Sequence, residues 1–201
     1  MQGDARRPLP RSEVRGAGRD GERQQGEPRA SHRFTVESKE CTAMERWFVR
    51  HGAAEEPDAA RWPDDRQRPL SPGGRADAER LGRRLARVAG RPEAIWASPY
   101  RRARETAELL AETAGWPAPT IVDELAAEAD PRELFERVRA GPPRLALVGH
   151  APLLPQLLAG WLGCPASDRL PVRLVPGAVA YVEGEPGAAA LHWLLTPSLL
   201  P

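Results

Sequence analysis

The stretch ERWFVRHG, residues 45–52, decides the fold, because a short apolar run ends there at an arginine, a histidine and a glycine. The run Trp47–Val49 is short and bounded by charged residues, a pattern typical of a buried strand, and Gly52 allows a tight turn after it. The stretch RLALVGH, residues 144–150, repeats the pattern with a longer apolar run that ends at a glycine and His150. Each stretch therefore predicts a strand with a histidine at its carboxyl end.

Working outward, helical and strand patterns alternate along the rest of the chain. Capping residues and helical spacing of apolar side chains predict four helices, which are Ser71 to Gly90, Ser98 to about Ala114, Asp130 through Val138, and 154–161. In the second helix, Ser98 is predicted as the N-cap and Pro99 as the first residue. Other short apolar runs predict strands at 94–97, 121–122, 178–182 and 189–195. This alternation predicts right-handed crossovers and a three-layer α/β/α sandwich with a mainly parallel sheet.

The candidate functional residues follow three of the predicted strands. They are Arg50 and His51, then Arg102 shortly after the strand 94–97, and finally His150. Ligands of parallel sheets bind beyond the carboxyl ends of the strands, so these residues are expected to converge. A neutral imidazole can attack phosphorus, and a guanidinium group can hold phosphoryl oxygens with two hydrogen bonds. We therefore predict a phosphoryl pocket with His51 as the nucleophile and the other three as anion-binding groups.

Each of these residues alone also has an ordinary structural interpretation. His150 alone would be a hydrogen-bonded core or loop histidine, and Arg102 alone would be one of many solvated helix arginines. Arg101 is a direct alternative to Arg102 on the same helix. The functional interpretation depends on the combination, since two of only four histidines close strands at the predicted active edge.

Composition excludes several other chemistries. A chain of 201 residues with a formal net charge of +1 suits one domain and favours neither nucleic acid nor membrane as a partner. Lys39 is the only lysine, and it precedes the predicted domain, so a Walker A loop and Schiff-base chemistry are excluded there. Cys41 and Cys164 lack metal-site or redox spacing and are given no role, and we predict no cofactor.

The chain divides into a polar tail and a folded domain. Residues 1–43 combine charges with Gly, Pro, Gln and Ser, so they are predicted to be a disordered basic tail, and residues 44–201 form the domain. Met44 opens directly into the first strand, which suggests the hypothesis that translation begins there. The chain shows neither a secretory h-region nor an apolar run of roughly 20 residues, so we expect a cytoplasmic protein.

Four motifs in this order resemble the histidine phosphatase superfamily, the phosphoglycerate mutase-like proteins. They are RHG at 50–52, RPLS at 68–71, SPYRRARETA at 98–107 and VGH at 148–150. The resemblance covers about residues 45–164 and is closest to the small bacterial phosphohistidine phosphatases, which lack the large lid insertions of the mutases. It implies that His51 is the nucleophile, that Arg50, Arg102 and His150 bind the phosphoryl group, and that no metal is needed. Its Ser-Pro-x-x-Arg-Ala pattern also selects Arg102 over Arg101.

The proton donor differs from the wider family, where many members place a glutamate after the third strand. The nearest candidate here is Glu124, without the surrounding pattern, so it is either the donor or a solvated loop residue. A protonated imidazole leaving group would not need that acid. We therefore expect the substrate to be phosphohistidine on a protein, such as a histidine-containing phosphotransfer domain. The alternatives are a phosphatase of a small phosphorylated metabolite and, as a different class, a non-catalytic phosphoprotein-binding module.

Overall fold

A six-stranded sheet lies at the centre of the computed structural model, which describes residues 44–164 and 172–200. Its strands are β1 (Glu45–Arg50), β2 (Ala94–Ala97), β3 (Pro119–Ile121), β4 (Arg144–Gly149), β5 (Val179–Glu183) and β6 (Ala190–Leu195). The spatial order is β3-β2-β4-β1-β5-β6. The four strands from β3 to β1 run parallel, and β5 and β6 continue the sheet antiparallel. The predicted mainly parallel sheet is confirmed.

Helices cover both faces of this sheet. Those in the described residues are α1 (Pro72–Val88), α2 (Arg101–Ala114), α3 (Pro131–Arg139) and α4 (Leu153–Trp161). Trp47 and Val49 of β1 pack in the same apolar cluster as α1 and α2, whereas Phe48 between them packs in the cluster of α3 and α4. Because both faces are buried, β1 is apolar from Trp47 to Val49 and β4 from Leu145 to Val148, without alternation with polar residues. The three-layer α/β/α sandwich is therefore confirmed.

The first and third helices begin where capping residues predicted. The Ser71 hydroxyl accepts a hydrogen bond from the Gly74 N–H at 3.0 Å, and Pro72 is the first residue of α1. The Asp130 carboxylate accepts from the Arg132 N–H at 2.8 Å at the start of α3. In both cases a side-chain oxygen satisfies an N–H group that the helix itself leaves without a partner.

The start of the second helix was predicted wrongly. The helix begins at Arg101, with Tyr100 as its N-cap and no side-chain capping bond, so Ser98 and Pro99 lie upstream of it. The Ser98 hydroxyl is instead within hydrogen-bond distance of a ring nitrogen of His150, 2.8 Å away. A serine before a proline is typical of a helix N-cap, but here the serine side chain is bonded to His150, which follows another strand.

The parallel pairing brings three strand ends to one level. Arg50 at the end of β1 pairs with Gly149 at the end of β4, and Ala97 at the end of β2 pairs with Val148 of β4. Because β4 lies between β2 and β1, the residues that follow these three strands meet at the middle of one sheet edge.

Two predictions, the disordered tail and the translation start at Met44, concern the segment before the domain. Residues 1–43 lie outside the described residues, so the tail and the start at Met44 remain predictions. Among residues 44–164 and 172–200, none of the helices combines the length and the apolar character needed to cross a membrane.

Candidate active site

His51 follows β1 and is 9% exposed. Its Nδ1 lies 2.7 Å from the Gly52 carbonyl oxygen, and since a carbonyl only accepts, Nδ1 carries the proton. The second ring nitrogen, Nε2, is left with its lone pair. Burial lowers the pKa of His51 to about 4, and the positive charges of Arg102 and Arg50 act in the same direction, while the hydrogen bond to Gly52 opposes them. At neutral pH the imidazole is therefore uncharged and nucleophilic.

The turn after His51 is fixed by its neighbours. The Gly52 N–H donates to the Thr106 hydroxyl of α2 at 3.1 Å, and that hydroxyl donates to the Arg102 carbonyl at 2.7 Å. A Cβ atom on Gly52 would lie only 2.9 Å from the carbonyl oxygen of Gly74 in α1. A side chain at position 52 would therefore push the loop away from α1, which explains why a glycine follows the histidine.

The two predicted arginines are held by different segments. Arg50 is half-buried, and its Nη1 donates to the Leu174 carbonyl at 2.9 Å. Arg102, in the first turn of α2, is 5% exposed, and its Nη1 donates to the Asp65 carbonyl at 2.9 Å. Its Nη2 lies 3.1 Å from the Asp65 carboxylate. Burial lowers the pKa of both guanidinium groups, yet both start from so high a value that they stay charged.

A third arginine lies at the same site. The Arg68 Nε donates to the Asp65 carboxylate at 2.7 Å, and its charge acts on both His51 and Arg102. The hydrogen bond from Arg68 lowers the pKa of Asp65, and Arg102 lowers it further, so this carboxylate is ionised. Arg68 belongs to the RPLS motif but has no role predicted from the sequence, and Asp65 could not be predicted because the polar segment around its 3-10 turn, Asp65–Gln67, carries no periodic signal.

His150 follows β4 and is 2% exposed. Its ring centroid lies 4.9 Å from that of His51 and 4.7 Å from that of Tyr100. Burial lowers the pKa of His150 to about 3, and the positive charge of Arg102 lowers it as well. The structure thus brings His51, Arg50, Arg102 and His150 together at the carboxyl edge, where the sequence predicted them to converge.

Tyr100 connects this group to a carboxylate that sequence analysis missed. Its ring lies beneath the Arg102 guanidinium at 4.8 Å, and its hydroxyl donates to Glu128 at 2.6 Å. Arg66 forms an ion pair with the same carboxylate. The hydrogen bond from Tyr100 lowers the pKa of Glu128, so this acid is also ionised. Glu128 has no sequence signal of its own, since it lies in an irregular segment before α3.

Glu124, the predicted candidate for a proton donor, is directed toward another part of the molecule. It lies in a single turn of 3-10 helix, Asp123–Leu125, and forms an ion pair with Arg137 of α3. Arg137 in turn lies over the ring of Trp96 at 5.3 Å. A hydrogen bond from its own backbone and the pairing with Arg137 lower the pKa of Glu124. No hydrogen bond or ion pair in the described residues links Glu124 to the four site residues, and its role as a donor stays a prediction.

The positive charge at this site is carried by the guanidinium groups of the arginine side chains. Within residues 44–164 and 172–200, His, Cys, Asp and Glu side chains do not form a group of three suited to a metal ion. A neutral imidazole with a free Nε2, faced by charged guanidinium groups, can accept a phosphoryl group and stabilise the charge on its oxygens.

Comparison with known proteins identifies its family. Residues 46–134 match the sequence model of the histidine phosphatase superfamily, branch 1. An uncharacterized protein of Picosynechococcus sp. is 37% identical over 113 residues, which are 54% of this chain and 67% of that protein. The chain belongs to the histidine phosphatase superfamily, as its motifs predicted.

Solved structures with the same fold include phosphatases with different substrates. The protein histidine phosphatase SixA, complexed with tungstate, is 25% identical with a TM-score of 0.67, over 77% of this chain and 98% of that one. A SixA described as a phosphohistidine phosphatase from Nakamurella multipartitia is 24% identical, with a TM-score of 0.61 over 77% and 96%. An α-ribazole-5'-P phosphatase from Escherichia coli is 20% identical, with a TM-score of 0.59 over 77% and 97%. The predicted phosphoglycerate mutase-like fold is confirmed.

Proposed function

We propose that this chain is a metal-independent phosphatase that dephosphorylates phosphohistidine on a protein through a covalent intermediate on His51. The observation that carries the proposal is the state of that side chain. Its Nδ1 proton is held by the Gly52 carbonyl, its Nε2 has a free lone pair, and burial keeps it neutral. Similarity to a protein histidine phosphatase at 25% identity supports the same assignment. The cytoplasmic location remains an expectation.

The reaction consists of two displacements at phosphorus. The Nε2 lone pair of His51 forms a bond to phosphorus while the bond to the leaving group breaks, and the leaving group departs with that electron pair. Water then attacks the same phosphorus, the P–Nε2 bond breaks, and the electron pair returns to His51 as inorganic phosphate leaves. Arg50, Arg102 and His150 hold the phosphoryl oxygens in both steps, where charge develops.

The ionised states of the candidate acids favour a leaving group that brings its own proton. Asp65, Glu124 and Glu128 each have a lowered pKa, because hydrogen bonds from the protein stabilise their ionised forms. An ionised acid cannot protonate a departing alkoxide. The imidazole of a phosphohistidine can be protonated near neutral pH, so it leaves without that assistance.

A second candidate function is supported by a cavity beside the site. The cavity has a volume of about 360 Å³ and is lined by Arg50, Ala151, Pro155 and residues 172–175. That volume lies within the range of small-molecule sites, and Arg50 would connect it to the phosphoryl pocket. A phosphatase of a small phosphorylated metabolite is therefore the alternative.

A panel of substrates measured without added metal separates these functions. We expect a phosphohistidine-carrying phosphotransfer domain to be hydrolysed with the highest kcat/KM, an aryl phosphate more slowly, and an alkyl phosphate slowest. General acid assistance to an alkyl ester is typically worth ~100-fold or more. Glu124→Gln and Glu128→Gln should each leave phosphohistidine hydrolysis almost unchanged. Fast alkyl phosphate hydrolysis that depends on either glutamate would refute the proposal and favour the metabolite phosphatase.

Trapping of the phosphoenzyme separates both enzymes from a non-catalytic binding module. Incubation with a substrate labelled in its phosphoryl group, followed by a rapid quench under alkaline conditions, should leave label on the wild-type chain and none on His51→Ala. A protein that only binds phosphoproteins would acquire no covalent label in either form.

A further inference from the structure

The side chain of Ser98 is fully buried and does not cap the helix that follows it. Its hydroxyl oxygen accepts a hydrogen bond from the Tyr100 N–H at 3.3 Å, and it lies 2.8 Å from Nε2 of His150. His150 is therefore hydrogen-bonded to a hydroxyl that already accepts one bond, and this limits which of the two groups, Ser98 or His150, supplies the proton between them.

Two proton arrangements are conceivable for this pair, and they differ in what they leave unsatisfied. If Nε2 of His150 carried the proton and donated it to Ser98, the serine oxygen would accept two hydrogen bonds. Its own proton would then have no acceptor among the described residues. If the Ser98 hydroxyl donates to an unprotonated Nε2, the Tyr100 N–H, the serine hydroxyl and Nε2 are all satisfied. The ring proton then lies on Nδ1, which is not among the fully buried side-chain nitrogens without a partner, so solvent or a ligand can accept it. A buried donor without a partner is costly, so the second arrangement should dominate by about tenfold or more.

We propose that Ser98 is a positioning residue that fixes the tautomer of His150. By donating to Nε2, its hydroxyl keeps the ring proton on Nδ1, which is the nitrogen left to donate to a phosphoryl oxygen. The inference rests on the proposed function for the identity of that ligand. The tautomer itself is a property of the protein without ligand.

Both histidines of the site then carry their proton on Nδ1, but the two rings use opposite nitrogens toward the substrate. In His51 the Nδ1 proton is directed to the Gly52 carbonyl, which leaves the Nε2 lone pair to attack. In His150 the Nε2 lone pair is occupied by Ser98, which leaves the Nδ1 proton to donate. Burial lowers the pKa of His150 to about 3, so at neutral pH the ring has one proton to place and the tautomer decides the donor.

Long-range ¹H–¹⁵N NMR spectra of the uniformly labelled full chain at neutral pH test the tautomer directly. The chain has only four histidines, and the spectrum of His150→Ala assigns the relevant signals. We expect a protonated Nδ1 and an unprotonated Nε2 in the wild type and in Ser98→Thr, which retains a hydroxyl. Ser98→Ala should show both tautomers. A protonated Nε2 in the wild type, or an unchanged tautomer in Ser98→Ala, would overturn the proposal.

Binding of inorganic phosphate tests whether Ser98 acts through His150. Ser98→Ala should raise the Kd for phosphate about 10-fold, the equivalent of one ordinary hydrogen bond. In a His150→Ala background the same substitution should have no further effect. An equal loss in both backgrounds would show that Ser98 only supports packing, which contradicts the proposal. Neither measurement requires turnover, so failure of the proposed enzymatic function would be distinguishable from failure of this inference.

Discussion

Replacing Arg102 by lysine tests whether the planar guanidinium group is what the pocket requires. The side chain of Arg102 is 6% exposed, and its two terminal nitrogens contact the carbonyl and the carboxylate of Asp65 at 2.9 and 3.1 Å. A lysine ammonium presents its three donors from one nitrogen atom and lacks the planar fork, so it cannot maintain both contacts and also bind a phosphoryl oxygen. A hydrogen bond to a charged group contributes about 1.5–3 kcal/mol, so kcat/KM should fall by roughly 10- to 150-fold.

Arg101→Lys is the matched control, one position away on the same helix. The side chain of Arg101 is 44% exposed, and its contact is an i,i+4 ion pair with Glu105 at 2.9 Å. Such surface pairs contribute about 0.3–0.5 kcal/mol, so kcat/KM should change by less than about twofold.

Both variants should be assayed with an aryl phosphate, with inhibition by inorganic phosphate as a second measure. Thermal unfolding of each variant verifies that the fold is retained. The reasoning would be refuted if both variants lost activity equally, or if Arg101→Lys were the more impaired.

His51→Ala should abolish turnover, and circular dichroism should show that the fold is retained. Substitution of the exposed His192, His192→Ala, is the control. Retained turnover in His51→Ala would contradict the covalent route. On unfolding between pH 6.5 and about 4, His51 and His150 should take up protons, because their folded pKa values are about 4 and about 3. Acid should therefore reduce the free energy of unfolding by on the order of 1 kcal/mol per pH unit for each histidine. Denaturant titrations of the wild type and of the double variant His51→Gln/His150→Gln measure this, and an identical pH dependence of the two would count against it. Tyr100→Phe should retain most activity, whereas Tyr100→Leu should lose ~10-fold, since the ring contacts His150 and Arg102; kcat/KM values in the opposite order would refute this.

The strands and the residues at their ends could be predicted because a short apolar run and the residue that ends it are both visible in the local sequence. The apolar run before His51 and the one before His150 each end at the residue where the chain leaves the sheet. The parallel arrangement follows from the alternation of strands with helices, and it alone brings distant residues to one edge. No knowledge of side-chain contacts was needed for this part.

The contacts that set proton positions could not be predicted in this way. Ser98 has the composition of a helix cap, and only the position of β4 shows that His150 takes its hydroxyl. Glu124 and Glu128 lie in the same polar connection, and the chain direction there decides which carboxylate approaches Tyr100. Asp65 begins a single turn of 3-10 helix, Asp65–Gln67, within a polar segment where residue type does not indicate the partner. Such pairings depend on three-dimensional placement, which periodicity does not encode.

The position of β4 between β1 and β2 also determines when the pocket can exist during synthesis. A nascent chain that has emerged only as far as α3 already contains His51, but the strand that supplies His150 is still inside the ribosome. Until β4 inserts, β1 and β2 each present an unpaired edge, and the two histidines cannot meet. The pairing of His51 with His150 is thus acquired in one late step, with the insertion of a central strand, and premature termination before residue 144 leaves a fragment that contains Arg50, His51 and Arg102 but lacks His150.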